Sequence, residues 1–178
     1  MTTLRSMSRR TFLPLVAGVA LSPALLVQSA RTQGANWQIY RPEGLGFEVE
    51  MPGKPKVTVE KGERDDPWVR SITAEVDFDP LYFGVSYNEF TEAVSMAQLA
   101  AAQRMAARQL GVEAPRETTI TMNGFPALDF VGESDSFSMA MRIVIREKRT
   151  ISAAATGAGS ISANPSVRRF LDSFKLLP

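Results

Sequence analysis

The sequence predicts an α+β domain built mainly from antiparallel strands, and three observations lead there. Apolar residues alternate with period two through most of the chain. Turn signals separate these runs closely enough for hairpins. Two segments switch instead to helical spacing, each with its own start signal.

Phe47, Val49 and Met51 share one strand face before a stop at Pro52-Gly53. Val57 and Val59 alternate next, followed by Ile72, Ala74, Val76 and Phe78, and then by Leu81, Phe83, Val85 and Tyr87. Asp79-Pro80 sits between the last two runs, which suggests a hairpin. Ser95 and Gln98 then form a capping-box pattern, and Gly111 stands where a helix end needs a left-handed residue. These bounds predict a helix over 96–110, with Met96, Leu99, Ala102, Ala106 and Leu110 as its packed face. A methionine and alanine stripe of this kind reads as core packing.

Strands resume over 118–122 and 125–130, joined by Asn123-Gly124, whose residues both tolerate positive φ. Phe137, Met139, Met141, Ile143 and Ile145 form the longest alternation, and Ser138, Arg142 and Arg146 face away from it. That pattern predicts a central strand buried on one side. Thr150 to Ala155 continues the sheet after a turn at Glu147 to Arg149. Asn164 as N-cap and Pro165 at the first helical position open a closing helix, with Val167, Phe170, Leu171 and Phe174 on one face.

Ahead of this domain, Ser8-Arg9-Arg10-Thr11-Phe12-Leu13 resembles the twin-arginine export consensus. The apolar stretch after it, to Val27, is interrupted by Pro14, Gly18 and Pro23, so it reads as a cleavable core rather than a membrane span. Residues 1–35 are therefore expected to be a twin-arginine signal peptide and 36–178 a single domain. That leaves about 143 residues, enough for a well-buried core. The twin-arginine translocase is the expected partner during export, and the product is expected to be periplasmic or secreted.

Composition narrows the chemistry. With Arg5, Arg9, Arg10 and Arg31 set aside, 16 basic residues remain against 19 acidic ones, a net of −3. Such a balance gives no reason to expect a nucleic-acid partner. Histidine and cysteine are both absent. Disulfides, thiolate nucleophiles, imidazole ligands and a Ser-His-Asp triad are thereby excluded. A lipid anchor on cysteine is excluded too, so no stable membrane anchor is expected after cleavage, and no cofactor is expected.

At the family level, Trp37 and Tyr40 ahead of Gly46-Phe47-Glu48-Val49, then Met51-Pro52-Gly53-Lys54-Pro55, resemble the opening of small exported PsbP-like domains. The mid-chain helix, Asn123-Gly124-Phe125-Pro126-Ala127, and the closing Phe170-Leu171-Asp172-Ser173-Phe174-Lys175-Leu176 are similar as well. The resemblance spans about residues 36–178 of a superfamily that includes the Ran-binding Mog proteins. It implies an antiparallel sheet flanked by helices on both faces, an α/β/α sandwich. It also implies a protein that works by binding or assembly, and it carries over no catalytic residues.

Several clusters remain as candidate sites. Glu63, Asp65 and Asp66 could offer oxygen ligands to calcium, although a solvated turn explains them as well. Asp77 and Asp79 would share a strand face, as the paired carboxylates of a small hydrolase do. Thr156 to Ser160 lacks the lysine and spacing of a phosphate loop. Trp37, Tyr40 and Trp68 read as sheet cover or as binding anchors. Arg142, Arg146, Arg168 and Arg169 could meet an anion, with solvated arginines as the plainer reading. The leading expectation is an exported, non-enzymatic binding or assembly module; the alternative is a carboxylate-dependent hydrolase using Asp77 and Asp79.

Overall fold

A computed structural model describes residues 36–178. The export motif of Ser8, Arg9, Arg10, Phe12 and Leu13 lies outside the described residues. In chain order the elements are β1 (Gln38–Tyr40), β2 (Phe47–Met51), β3 (Lys56–Lys61), β4 (Trp68–Phe78), β5 (Leu81–Phe90) and α1 (Met96–Gln109). They continue with β6 (Arg116–Met122), β7 (Phe125–Glu133), β8 (Ser138–Arg146), β9 (Arg149–Gly157), α2 (Pro165–Ser173) and β10 (Lys175–Leu176).

Seven strands form one antiparallel sheet in the order β3-β4-β5-β9-β8-β7-β6. The order divides it into two meanders, β3-β4-β5 and β6 to β9. Tight turns make each meander locally, and Asn123 (φ 50°) with Gly124 (φ 83°) supplies the backbone twist that the β6–β7 hairpin needs. The seam is the long-range pairing of β5 with β9, which places Leu81 opposite Gly157 and Glu89 opposite Arg149. A second sheet, β1-β2-β10, was not foreseen: β2 pairs with β1 on one side and with the chain's last strand on the other.

Period two along β5 and β9 sorts side chains between two faces. On one face Leu81, Phe83, Val85 and Tyr87 are buried with Ile151, Ala153 and Ala155. β2 covers this face with Phe47, Val49 and Met51, and α2 covers it with Val167 and Phe170. The Phe170 ring stands edge-on to Phe83 at 5.0 Å, and Phe174 meets Phe47 at 6.1 Å. Such aromatic pairs add to the free energy of burying the rings. On the other face Leu99, Ala100 and Ala107 of α1 pack with Leu128, Phe130, Met139 and Met141 of β7 and β8.

Local chemistry bounds both helices as expected. The Ser95 side chain accepts from the Gln98 N–H at 3.2 Å, while the Gln98 side chain accepts from the Ser95 N–H at 2.9 Å. Asn164 accepts from the Ser166 N–H at 2.9 Å and Pro165 opens α2. Gly111, at φ 80°, turns the chain out of α1, and buried Val112 follows it against β7. A Cβ on Gly132 would lie 2.7 Å from Val112 Cγ1, so only glycine fits beneath that exit.

Two expectations need correction. The packed face of α1 is Leu99, Ala100, Gln103, Ala106 and Ala107, while Leu110 is exposed at the cap and Ala102 only half-buried. Alanine-rich helices present weakly contrasted faces, and a polar residue at the centre of the stripe disguised it. β8 is buried on both sides, because Ala140 and Val144 pack toward α2 while Met139, Met141 and Ile143 pack toward α1. Val57 and Val59 form a strand as expected, but β3 is the sheet edge and both remain exposed.

Candidate functional site

Where α1 ends its cover, the second face of the sheet stays open. A groove of about 380 Å³ runs over β4, β5, β9 and β8, walled by Gln103, Ala106 and Leu110 of α1. Its floor lies on the seam between the two meanders. Gly84 of β5 sits opposite Ala154 of β9, and Ala154 in turn lies opposite Met141 of β8. These two small residues create the depth, because any larger side chain would project into the space that α1 leaves open.

A polar strip crosses this floor. The Ser71 hydroxyl donates to Asn88 Oδ1 at 2.8 Å, the Asn88 amide donates to the Ser86 hydroxyl at 3.3 Å, and Ser86 shares a 2.7 Å hydrogen bond with Ser152. The hydroxyls are thus engaged with one another and with an amide, and no carboxylate or amine takes part in this hydrogen-bonded strip to activate one as a nucleophile. Gln103 is the buried polar residue of α1, 5% exposed, and its amide reaches the same groove.

Aromatic residues mark the ends. Trp68 and Phe90, paired across β4 and β5, line one end; Tyr82, opposite Thr156, lines the other together with Phe137. Burial pushes the Tyr82 hydroxyl well above its ordinary value, and the Glu75 carboxylate and then Asp77 reinforce the shift. Tyr82 is consequently a neutral donor across the physiological range. Apolar walls with a few placed polar groups and a volume of this size match the usual composition of a ligand site.

Most candidates from the sequence fall elsewhere. Asp77 is exposed on β4 and Asp79 lies beyond its end in the turn, so the two do not share a strand face, and neither lines the groove. The nearest acid that does is Glu75. Asp66 closes a surface turn by accepting from the Glu63 N–H at 2.7 Å. Among the described residues no group of three Asp or Glu side chains is placed to hold a metal ion.

Three of the four candidate arginines are committed to structure, while Arg168 is exposed on α2 with no ion pair among the described residues. Arg142 makes a bidentate pair with Asp129 at 2.7 and 2.9 Å and donates to the Leu171 carbonyl at 3.1 Å, tying β8 to α2. Arg146 stacks on Phe125, while Arg169 stacks on Trp37 and pairs with Glu50 at 2.6 Å. Trp37 also meets Phe83 edge-on at 6.0 Å, and Tyr40 meets Phe47, so both cover the first face. Trp68 is the aromatic candidate that reaches the groove, and Thr156 is the residue of the glycine-rich turn that does so. Gln103 and the serines were missed, and the sole linear trace of them is a glutamine interrupting an alanine stripe.

No protein-family model matches the chain, and no curated protein matches it in sequence. Among solved structures, the fold is similar to that of cyanobacterial PsbP (CyanoP) from Synechocystis sp. PCC 6803. The identity is 11%, the match covers 84% of this chain and 98% of that one, and the TM-score is 0.51. LpqN, involved in cell envelope biogenesis of Mycobacterium tuberculosis, is 13% identical over 80% of this chain and 92% of its own, with a TM-score of 0.38. The first of these establishes a PsbP-like fold. Among the described residues no helix is long and apolar enough to cross a membrane.

Proposed function

We propose that this chain is an exported, non-enzymatic binding module of α/β/α layering that holds a small, mostly apolar ligand between α1 and the β5–β9 seam. The groove of about 380 Å³ carries this reading. Its polar groups include a serine and asparagine hydrogen-bond strip, a neutral tyrosine, a glutamine and the carboxylates of Glu60 and Glu75, and no serine of the strip is hydrogen-bonded to a carboxylate, which suits holding a ligand better than transforming one. Export through the twin-arginine translocase, with Arg9 and Arg10 as the recognised pair and residues 1–35 removed, places the module in the periplasm or beyond.

Native mass spectrometry on the protein recovered from the envelope fraction tests the binding reading. A bound small molecule that is lost in Ala154→Phe, with the fold retained by circular dichroism, is the expected result. A protein that is empty and takes up no apolar probe in either form would remove the reading. Export is tested separately: Arg9→Lys with Arg10→Lys should strand the precursor in the cytoplasm, and unchanged export would overturn that route.

A further inference from the structure

The groove's length and charge narrow its occupant, given the binding reading above. Tyr82 and Phe90 stand at opposite ends of the β5 lane that floors it, about 26 Å apart at the rise of an extended strand. A trough that is long, narrow and floored by Gly84 and Ala154 fits an extended chain better than a compact ring system. Its apolar wall is Met139, Met141 and Ile143, and the thioethers adapt to an irregular chain.

The charges around it have one sign. Glu60 and Glu75 line the groove, whereas neither Lys nor Arg does. Two nearby arginines are turned away or paired. Arg70 stacks on Tyr87 and pairs with Glu89 on the opposite face, and Arg104 of α1 pairs with Glu117 at 2.7 Å. Lys56 lies across the β3–β4 ladder from Glu75, but it is exposed and forms no ion pair with Glu75 among the described residues. A carboxylate, sulfate or phosphate head group would therefore meet mainly like charge in a partly desolvated trough, with the exposed Lys56 across from Glu75 screened by solvent. An ammonium would meet a carboxylate and, at either end, aromatic residues able to receive a cation.

We infer that the groove binds a cationic amphiphile: one extended apolar chain along the β5–β9 floor, with an ammonium or protonated amine at the Glu75 end. Glu75 is half-buried beside Tyr82, whereas Glu60 is exposed on the edge strand, where solvent and salt screen it. Tyr82, as a neutral hydroxyl, adds no competing charge beside the head group.

The test uses the exported protein and three dodecyl surfactants below their micelle concentrations: dodecyltrimethylammonium, dodecyl sulfate and dodecyl maltoside. Binding is followed by calorimetry and by the fluorescence of Trp68 at the groove, with Trp37→Phe removing the other indole. The ammonium should bind about tenfold more tightly than the sulfate, with the maltoside between them. Glu75→Gln should erase most of that preference, and Glu60→Gln should change it less than about twofold. Ala154→Phe, or Gly84→Val should the first not fold, should abolish binding of all three. Equal affinity for ammonium and sulfate, or a preference that survives Glu75→Gln, overturns the head-group assignment while leaving the groove as a site. Binding of none of the three, or binding indifferent to the filled groove, overturns both.

Discussion

The two faces of the large sheet share every backbone atom yet differ in what covers them. Along β5, Leu81, Phe83, Val85 and Tyr87 are buried, while the intervening Tyr82, Gly84, Ser86 and Asn88 are half-buried. The first face carries α2, the small sheet and a set of interlocked aromatic rings. The second carries one alanine-rich helix set over β7 and β8, and it leaves the seam open. Stability is concentrated where packing is complete, so the seam is free to keep small, hydroxyl-bearing residues that contribute little to a core.

The contrast can be broken most forcefully at Phe170, which is fully buried against Phe83. Phe170→Ala should cost about 3 kcal/mol or more, read as a shift in the urea midpoint. A loss below about 1 kcal/mol would mean that the first face is not where stability resides. Next in size, Asn164→Ala removes the cap that starts α2 and should cost about 1 kcal/mol in the same assay.

The second face should answer differently. A Cβ on Gly84 would find its nearest neighbour, Tyr82 Cε1, at an ordinary 3.5 Å, and the φ of Gly84 is not in the left-handed region. Gly84→Ala should therefore raise the midpoint by about 0.5 kcal/mol through the unfolded state, while weakening ligand binding. A destabilised variant would show that the seam is packed after all.

The smallest effect concerns the latch that holds the loop of buried Ile161 against the first face. The Ser162 N–H donates to Glu133 Oε1 at 3.1 Å and the Ser160 hydroxyl at 2.9 Å, and together they hold the Glu133 carboxyl below its ordinary 4.5. A carboxyl lowered on folding adds stability above its unfolded value, and that stability is lost as pH falls through the lowered value. Glu133→Gln should thus be slightly less stable than wild type at neutral pH, with the gap closing below pH 4.5. A gap independent of pH would assign the effect to packing.

How far the sequence could be read follows from how local each signal was. The Ser95 and Asn164 caps, the Asn123-Gly124 turn and the alternation of Leu81 to Tyr87 act within a few residues, and the structure contains them as expected. β1 and β10 are too short to show a period, and β10 exists because Leu176 meets Phe47, a partner far away in the chain. The groove was the least legible part. Gly84, Ser86, Ser152 and Ala154 look like ordinary strand residues until the β5–β9 pairing sets them side by side. The carboxylates that drew notice, Asp77 and Asp79, stood out by proximity in sequence, whereas Glu75 matters because its side of β4 faces the groove.

The pairing of β2 with β10 has a consequence in time. Residues made near the start of the domain, Phe47 and Glu48, find their ladder partners in Leu176 and Lys175. The Glu50 N–H likewise waits for the Ser173 hydroxyl, 2.9 Å away across most of the domain's length. During synthesis the two meanders can form as they emerge, but the aromatic layer cannot close until the final residues are free. Closing so long a loop carries an entropic cost that the local hairpins do not. Until then Phe47, Phe83 and Val85 stay uncovered, and that nascent surface is the one a chaperone or a neighbouring chain would meet.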